Sequence, residues 1–152
     1  MSDRSQSQEP SARKAPSIPA DMNAFNAKLI ADFRANHGQF SGDMAGRGLL
    51  ILTTTGARSR EPRSVVLGFG RHGDRLVVIA SDNGAPKAPA WYHNLLANPS
   101  ATVEIAGPDR FEVRATTARP EERDDLAKAV PYLGQQQSLT AREIPIVVFE
   151  RV

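Results

Sequence analysis

About six short apolar runs carry most of the bury-able surface of this chain, and the spacers between most of them are of turn length. They are Leu49–Leu52, Ser64–Arg71, Leu76–Ala80, Thr102–Ile105, Phe111–Thr116 and Ile144–Phe149. Runs of this length bounded by Gly, Pro, Asn and Asp clusters are strands. His72-Gly73-Asp74 and Gly107-Pro108-Asp109 have the chemistry of hairpin turns. Parallel neighbours need crossovers of a dozen or more residues, so the pattern predicts an antiparallel sheet curled into a small barrel, not a doubly wound parallel one. The two glycines inside Ser64–Arg71 predict a bend within that strand. Three helices flank the sheet. The first starts at Asp21 as N-cap, places Met22, Phe25, Leu29, Ile30 and Phe33 at helical spacing up to Asn36, and stops at Gly38. The second covers Ala90–Ala97, with Trp91, Leu95 and Leu96 able to share a face, and Asn98-Pro99 ends it. The third runs from Pro120 through Glu121, Glu122 and Leu126 to Val130. The fold class is therefore α+β, mainly β with flanking helices.

The 152 residues contain no cysteine, which removes thiolate nucleophiles, iron–sulfur clusters and Cys-type zinc sites and fits a reducing compartment such as the cytoplasm. No apolar run approaches the roughly 18 residues of a membrane-spanning helix. The first twenty residues, MSDRSQSQEPSARKAPSIPA, hold no apolar core of a secretory signal. They bury too little to offset their ordering entropy, and the expectation is a disordered arm over residues 1–20 and one domain over 21–152.

Three sequence clusters bear on chemistry. Gly68-Phe69-Gly70-Arg71-His72-Gly73 fits the dinucleotide pattern GxGxxG, but that motif must open a helix. Here a strand follows, so these are bend and hairpin glycines. Arg58, Arg60 and Arg63 sit on a turn behind Thr53, Thr54, Thr55 and Gly56. Guanidinium forks with hydroxyls and turn amides suit phosphate or carboxylate, although a solvated basic loop accounts for the same residues. Pro89-Ala90-Trp91-Tyr92-His93-Asn94-Leu95 brings Trp, Tyr, His and Asn together, which suits a planar ligand needing both stacking surface and hydrogen bonds. The alternative is that Trp91 and Leu95 are core while Tyr92, His93 and Asn94 face water. His37, His72 and His93 are too isolated for a metal site, and no GxSxG elbow, P-loop or HExxH is present. A net charge of only +2 argues against a nucleic-acid binder.

Leu49–Arg63 (LLILTTTGARSREPR), Val78–Tyr92 (VIASDNGAPKAPAWY) with Asn94-Leu95 and Asn98-Pro99, Glu121-Glu122-Arg123 and Ile144-Pro145-Ile146-Val147 resemble, in order and spacing, the deazaflavin (F420)-dependent nitroreductase family of actinobacteria. FRANHG, Phe33 to Gly38, is similar to that family's N-terminal helix. The resemblance covers roughly residues 22 to 150 and implies a split β-barrel related to FMN-binding oxidases. It implies reduced coenzyme F420 (F420H2) as hydride donor and a small-molecule quinone, nitroaromatic or coumarin-like enone lactone as acceptor. It further implies that Arg58, Ser59 and Arg63 hold the coenzyme's phosphate and glutamyl tail, with Lys87 a further candidate. Ser64, Val65, Val66, Leu67 and Gly68 would line the same cleft. Ile79, Ala80, Ser81 and Asp82 would meet the deazaflavin ring, and Ala90, Trp91, Tyr92 and Asn94 would close over it.

The chain departs from the family pattern at two places. The family's turn reads Gly-Arg-Lys-Ser-Gly where this chain has Gly56-Ala57-Arg58-Ser59-Arg60. The family's substrate-side tyrosine aligns with Leu133, which leaves the neighbouring Tyr132 as the candidate catalytic proton donor. Alternatives of other kinds are an FMN-dependent enzyme of the same fold, a non-catalytic carrier of a planar or lipid-like ligand, and a single-strand nucleic-acid module stacking bases on Trp91 and Tyr92. The nearest family branch implies a monomer in the cytoplasm, with contact at the inner face of the membrane left open.

Overall fold

The computed structural model describes residues 22–40, 48–107 and 109–152. Helix α1 (Met22–Ala35) ends where His37 and Gly38 take positive φ and the Gly38 amide donates to the Phe33 carbonyl at 2.9 Å, the left-handed stop that glycine permits. Strands β1 (Leu49–Thr55), β2 (Pro62–Gly68), β3 (Gly70–His72) and β4 (Arg75–Ile79) follow. After a single 3-10 turn (Asp82–Gly84) come α2 (Ala90–Ala97), β5 (Ser100–Ile105), β6 (Asp109–Thr117), α3 (Pro120–Ala127), α4 (Leu133–Gln137) and β7 (Ile146–Arg151). The seven strands form one sheet in the order β2-β1-β5-β6-β7-β4-β3, every neighbouring pair antiparallel.

The order shows how the sheet curls. Its two edge strands, β2 and β3, are consecutive in sequence and separated by one residue, Phe69. A sheet whose opposite edges are joined by one residue must roll into a barrel, closed there by the chain itself. The Phe69 amide still donates to the Gly48 carbonyl at 2.9 Å, holding the bend to the start of β1.

Burial follows from the two-residue period of strands. Leu50, Leu52, Leu76, Val78, Val103, Val113, Val147 and Phe149 point into the barrel and form its core with Trp91 and Leu95 of α2. The alternate residues of β4 and β7 (Val77, Ile79, Ile146 and Val148) face outward, but Leu126, Val130 and Ile144 cover them. This is why Leu76–Ile79 and Ile146–Phe149 are apolar at every position instead of alternating. Ile51, on the outer face of β1, is likewise covered by Ile30 and Phe33 of α1 with Phe40.

Several expectations need adjusting. The run Ser64–Arg71 is two strands, because the bend at Phe69 interrupts the pairing, so seven strands replace about six. Thr53–Thr55 belong to β1, and Pro62 and Arg63 to β2, so the polar turn is shorter than its composition suggests. The last strand begins at Ile146, after Pro145, which has no amide hydrogen to give to a ladder. Helix α4 was not expected. The arm over residues 1–20 and the Asp21 N-cap lie outside the described residues.

Candidate functional site

The β1–β2 connection is a closed loop. The Gly56 amide donates to the Glu61 carbonyl at 2.8 Å, the Arg60 amide to the Gly56 carbonyl at 3.0 Å and the Glu61 amide to Ser59 Oγ at 3.2 Å. Glycine suits position 56 because a Cβ would displace Ser59 Oγ from its bond to the Glu61 amide and stand 3.2 Å from the Glu61 carbonyl. Asn94 on α2 braces the loop from behind: its Oδ1 accepts from the Ala57 amide and its Nδ2 donates to the buried Thr54 hydroxyl, both at 3.0 Å. Thr53 and Ser64 are bonded across the strand pair at 2.7 Å. Arg58 and Arg63 are thereby presented, exposed, at the rim of a wide cleft of about 1110 Å³. Its other wall is α1, which contributes Ala27, Ile30, Ala31 and Arg34, and its floor includes Ser64, Val65 and Trp91. Three arginines and His93 line it, and no acidic residue among the described residues does.

A narrower cleft of about 400 Å³ adjoins it, sharing Val65, Ala90 and Trp91. Val66, Leu67 and Gly68 of β2 form one side, Ile79, Ser81 and Asp82 another, and Tyr132 and Gln136 beside and on α4 a third. Asn26 of α1 accepts from the Val66 amide at 3.2 Å and fixes that strand edge. The loop after β4, where Asp82 has φ of 48°, is held by Arg142. Arg142 Nε donates to the Ala85 carbonyl at 2.9 Å, and its Nη2 to the carbonyls of Ala80 at 3.1 Å and Ser81 at 2.9 Å. The Tyr132 hydroxyl lies 3.5 Å from where a Cβ would stand on Gly68, which places the phenol against this end of β2. Desolvation raises the Tyr132 pKa above its ordinary value, because a phenolate loses more than a phenol on leaving water. Gln136 Oε1 is buried with no hydrogen-bond partner.

Of the residues that the sequence nominates for cofactor binding, Arg58, Ser59, Arg63, Ser64, Val65, Ala90, Trp91 and Asn94 come together at the wide cleft, and Val66, Leu67, Gly68, Ile79, Ser81 and Asp82 at the narrow one with Tyr132. Ala80, Lys87 and Tyr92 line neither. Ala80 is fully buried, and the Tyr92 hydroxyl instead meets Thr117 Oγ1 at 2.8 Å, its ring edge-on to Trp91. The Asn94 amide is committed to Thr54 and Ala57, which makes it a brace. Arg34, Asn26, Gln136 and Arg142 do not stand out in the sequence. Arg34, Asn26 and Arg142 acquire their places through partners remote in the chain, and only the position of Arg34 one residue after the apolar Phe33 hints at an outward-facing side chain. No group of His, Asp and Glu suited to a metal ion occurs among the described residues.

The rolled antiparallel sheet with paired clefts on one flank defines a split-barrel protein. A family model for F420H(2)-dependent quinone reductases matches residues 27–151, and the chain belongs to that family. It is 39% identical over 110 residues to an F420H(2)-dependent quinone reductase of Mycobacterium tuberculosis (strain ATCC 25618 / H37Rv), covering 67% of this chain and 72% of the relative. Among solved structures, an F420-H2 dependent reductase (FDR-A) superposes with a TM-score of 0.61 at 33% identity, covering 68% of this chain and 95% of that one. Another, described as a domain-swapped dimer, gives a TM-score of 0.62 at 30% identity over 80% of this chain and 95% of that one. The expected split barrel and F420-dependent reductase class are thus found. No helix among the described residues is long and apolar enough to cross a membrane.

Proposed function

We propose that the single unit over residues 21–152 binds reduced F420 across the two clefts and delivers its hydride to a quinone, with nitroaromatics and enone lactones as further acceptors. The observation that carries this reading is the junction itself: an arginine-lined cleft opens, along Val65, Ala90 and Trp91, into a narrower one walled by backbone and a phenol. A flat ring bearing a phosphorylated, carboxylate-rich chain has both requirements. The unpartnered Gln136 oxygen supports the fit, since a buried acceptor without a donor matches a ring N–H or a hydroxyl brought in by a ligand.

When bound, the reduced coenzyme supplies a hydride from the C5 of its deazaflavin. The chain's own work is placement. Arg58, Ser59, Arg63 and Ser64 hold the anionic portion, and Val65, Trp91 and the Ile79–Asp82 backbone orient the ring and exclude water. Tyr132, a phenol whose pKa lies above the ordinary value, keeps its proton through and beyond the neutral range, and it stands beside Gly68 to hand that proton to the reduced acceptor. The clefts fit a small-molecule acceptor, and a chain without cysteine suits a reaction set in the reducing cytoplasm.

Mixing the protein with reduced F420 and menadione, and separately with a coumarin-type enone, while following the visible band of the oxidised coenzyme tests the reading directly. Protein-dependent reoxidation is expected. Absence of both turnover and coenzyme binding, or equal turnover with reduced FMN, would refute it.

Three single variants probe the parts. Arg58→Ala and Arg63→Ala should each weaken coenzyme affinity by about tenfold, the exposed end of the range for a charge-assisted hydrogen bond; affinity unchanged in the folded double variant would place the anion elsewhere. Tyr132→Phe should lower turnover by about 10²-fold while leaving coenzyme affinity intact. The raised pKa means that the protonated, donating form persists up to and past the ordinary phenol value of about 10. The Tyr132-dependent part of the rate should therefore be flat from pH 6 to about 10 and fall only above that. A phenylalanine variant with the parent rate would assign the proton to water.

A further inference from the structure

We propose that Arg34 is a third anion-binding arginine of the wide cleft, and that Glu104 is its internal counterion, so that α1 recognises the extended anionic portion of the ligand. The inference rests on the cofactor reading above and deepens it.

Arg34 is anchored, whereas Arg58 and Arg63 are exposed and form no ion pair among the described residues. Its Nε donates to Glu104 Oε1 at 3.1 Å and its Nη2 to Oε2 at 2.7 Å, a fork-on-fork pair. Glu104, on β5 opposite Ile51, has a side chain only 9% exposed, whereas that of Arg34 is 50% exposed. A guanidinium carries five N–H donors, and the carboxylate occupies two, leaving three for the cleft that Arg34 lines. The bond to Glu104 also raises the Arg34 pKa, keeping it a fixed cation. Arg110 reaches the same carboxylate, its Nη1 3.6 Å from Oε2. Two guanidiniums thus share one negative charge, and this wall keeps a positive surplus. Its neighbours Ala27, Ile30 and Ala31 offer no competing polar group. Arg58 and Arg63 stand on the β1–β2 side, so an anion chain in the wide cleft is met from both walls. At about 1110 Å³ against about 400 Å³, the wide cleft has room for such a chain beside the ring's own site.

The pair also pins α1 to the barrel, so the test must separate recognition from support. Equilibrium binding is read by quenching of F420 fluorescence with coenzyme bearing short and long glutamate tails, on the parent protein, Glu104→Gln, and the double variant Arg34→Gln with Glu104→Gln. The double variant removes both charges and leaves no buried carboxylate unpaired. Glu104→Gln keeps an acceptor for Arg34 but deletes the competing charge, and should tighten long-tail binding by about threefold. The double variant should lose about tenfold on the long tail and under about twofold on the short one. A purely structural pair predicts weakening by Glu104→Gln in step with lost thermal stability, equal for both tails, and that result would overturn the proposal. A second arm needs no coenzyme: tetraglutamate is added to the ligand-free protein while the Arg34 Nε–H signal is followed by NMR. A saturable shift supports the site even if F420 fails to bind, which would sink only the cofactor reading. No shift with tetraglutamate, together with no tail-length effect, rejects it.

Discussion

Gly70→Ala should lower the melting temperature by about 10 °C. A Cβ at this position would overlap the carbonyl oxygen of Ala129 and crowd its carbonyl carbon. Both sides of that clash are backbone or backbone-fixed, so no rotamer relieves it, and either β3 or the turn after α3 must withdraw. The turn is not free to move. The Ala129 amide donates to the Leu126 carbonyl at 3.0 Å and the Val130 amide to the Ala127 carbonyl at 3.1 Å, and Leu126 and Val130 are sunk in the cluster that covers β4 and β7. Overpacking of this kind costs about 3 kcal/mol, and in a domain of this size each kcal/mol is about 2–4 °C. Because β3 is the strand that carries the chain from one sheet edge to the other, the cost falls on barrel closure. Gly134→Ala is the matched control: nothing lies within 4 Å of its added Cβ, and it sits within α4. That change should be neutral or stabilising by up to about 1 kcal/mol. Thermal unfolding followed by circular dichroism checks both, and equal melting temperatures for the two variants would mean that β3 does not seat on Ala129.

What the sequence disclosed and what it withheld divide along the range of the interactions. The hairpins were legible because turn and flanking strands are neighbours: Gly73 takes the φ of 65° that its turn demands, and β3 pairs with β4 directly across it. The two glycines flanking Phe69 announced a bend, but not that the bend would carry the chain between opposite edges. That consequence depends on β1, β5, β6 and β7 lying between them. Helix α4 was illegible for a different reason. Leu133–Gln137 is LGQQQ, five residues with a glycine and no fully buried side chain. It is held by Gln137, whose amide bonds the carbonyls of Thr140 and Arg142 and the amide of Ile144.

The same division runs through the site. Arg58 and Arg63 stood out because one local turn presents both. Asn94 stood out as a polar group beside Trp91, and its residue type suited a ligand; the structure spends both ends of that amide on Thr54 and Ala57, 40 and 37 positions away. Asn26 and Arg34 looked like ordinary polar residues of an amphipathic helix. Their partners, the Val66 amide and Glu104, are 40 and 70 positions distant, and no local spacing encodes such pairs.

Arg142 is the extreme case, and its replacement should have the broadest effect on the narrow cleft. Arg142→Ala should destabilise the domain by about 3 kcal/mol and raise the coenzyme dissociation constant by about tenfold. Three backbone carbonyls, those of Ala80, Ser81 and Ala85, converge on one guanidinium, and Ala80 is fully buried. Removing the donor leaves carbonyls that must find water or move, and Ser81 and Asp82 form a wall of the narrow cleft. The adjoining residue Asp82 sits at φ of 48°, a conformation that a non-glycine residue keeps only when its surroundings enforce it. Loss of the clamp therefore releases the very backbone that would meet the ring. Arg142→Lys separates charge from geometry. An ammonium reaches one or two of the carbonyls but cannot span all three as the planar fork does, so it should recover part of the stability and little of the affinity. Coenzyme titration well below the melting point of each variant makes the comparison fair. Parent affinity in folded Arg142→Ala would mean that the loop holds its shape without the clamp, and would move ring recognition to β2 and Trp91 alone.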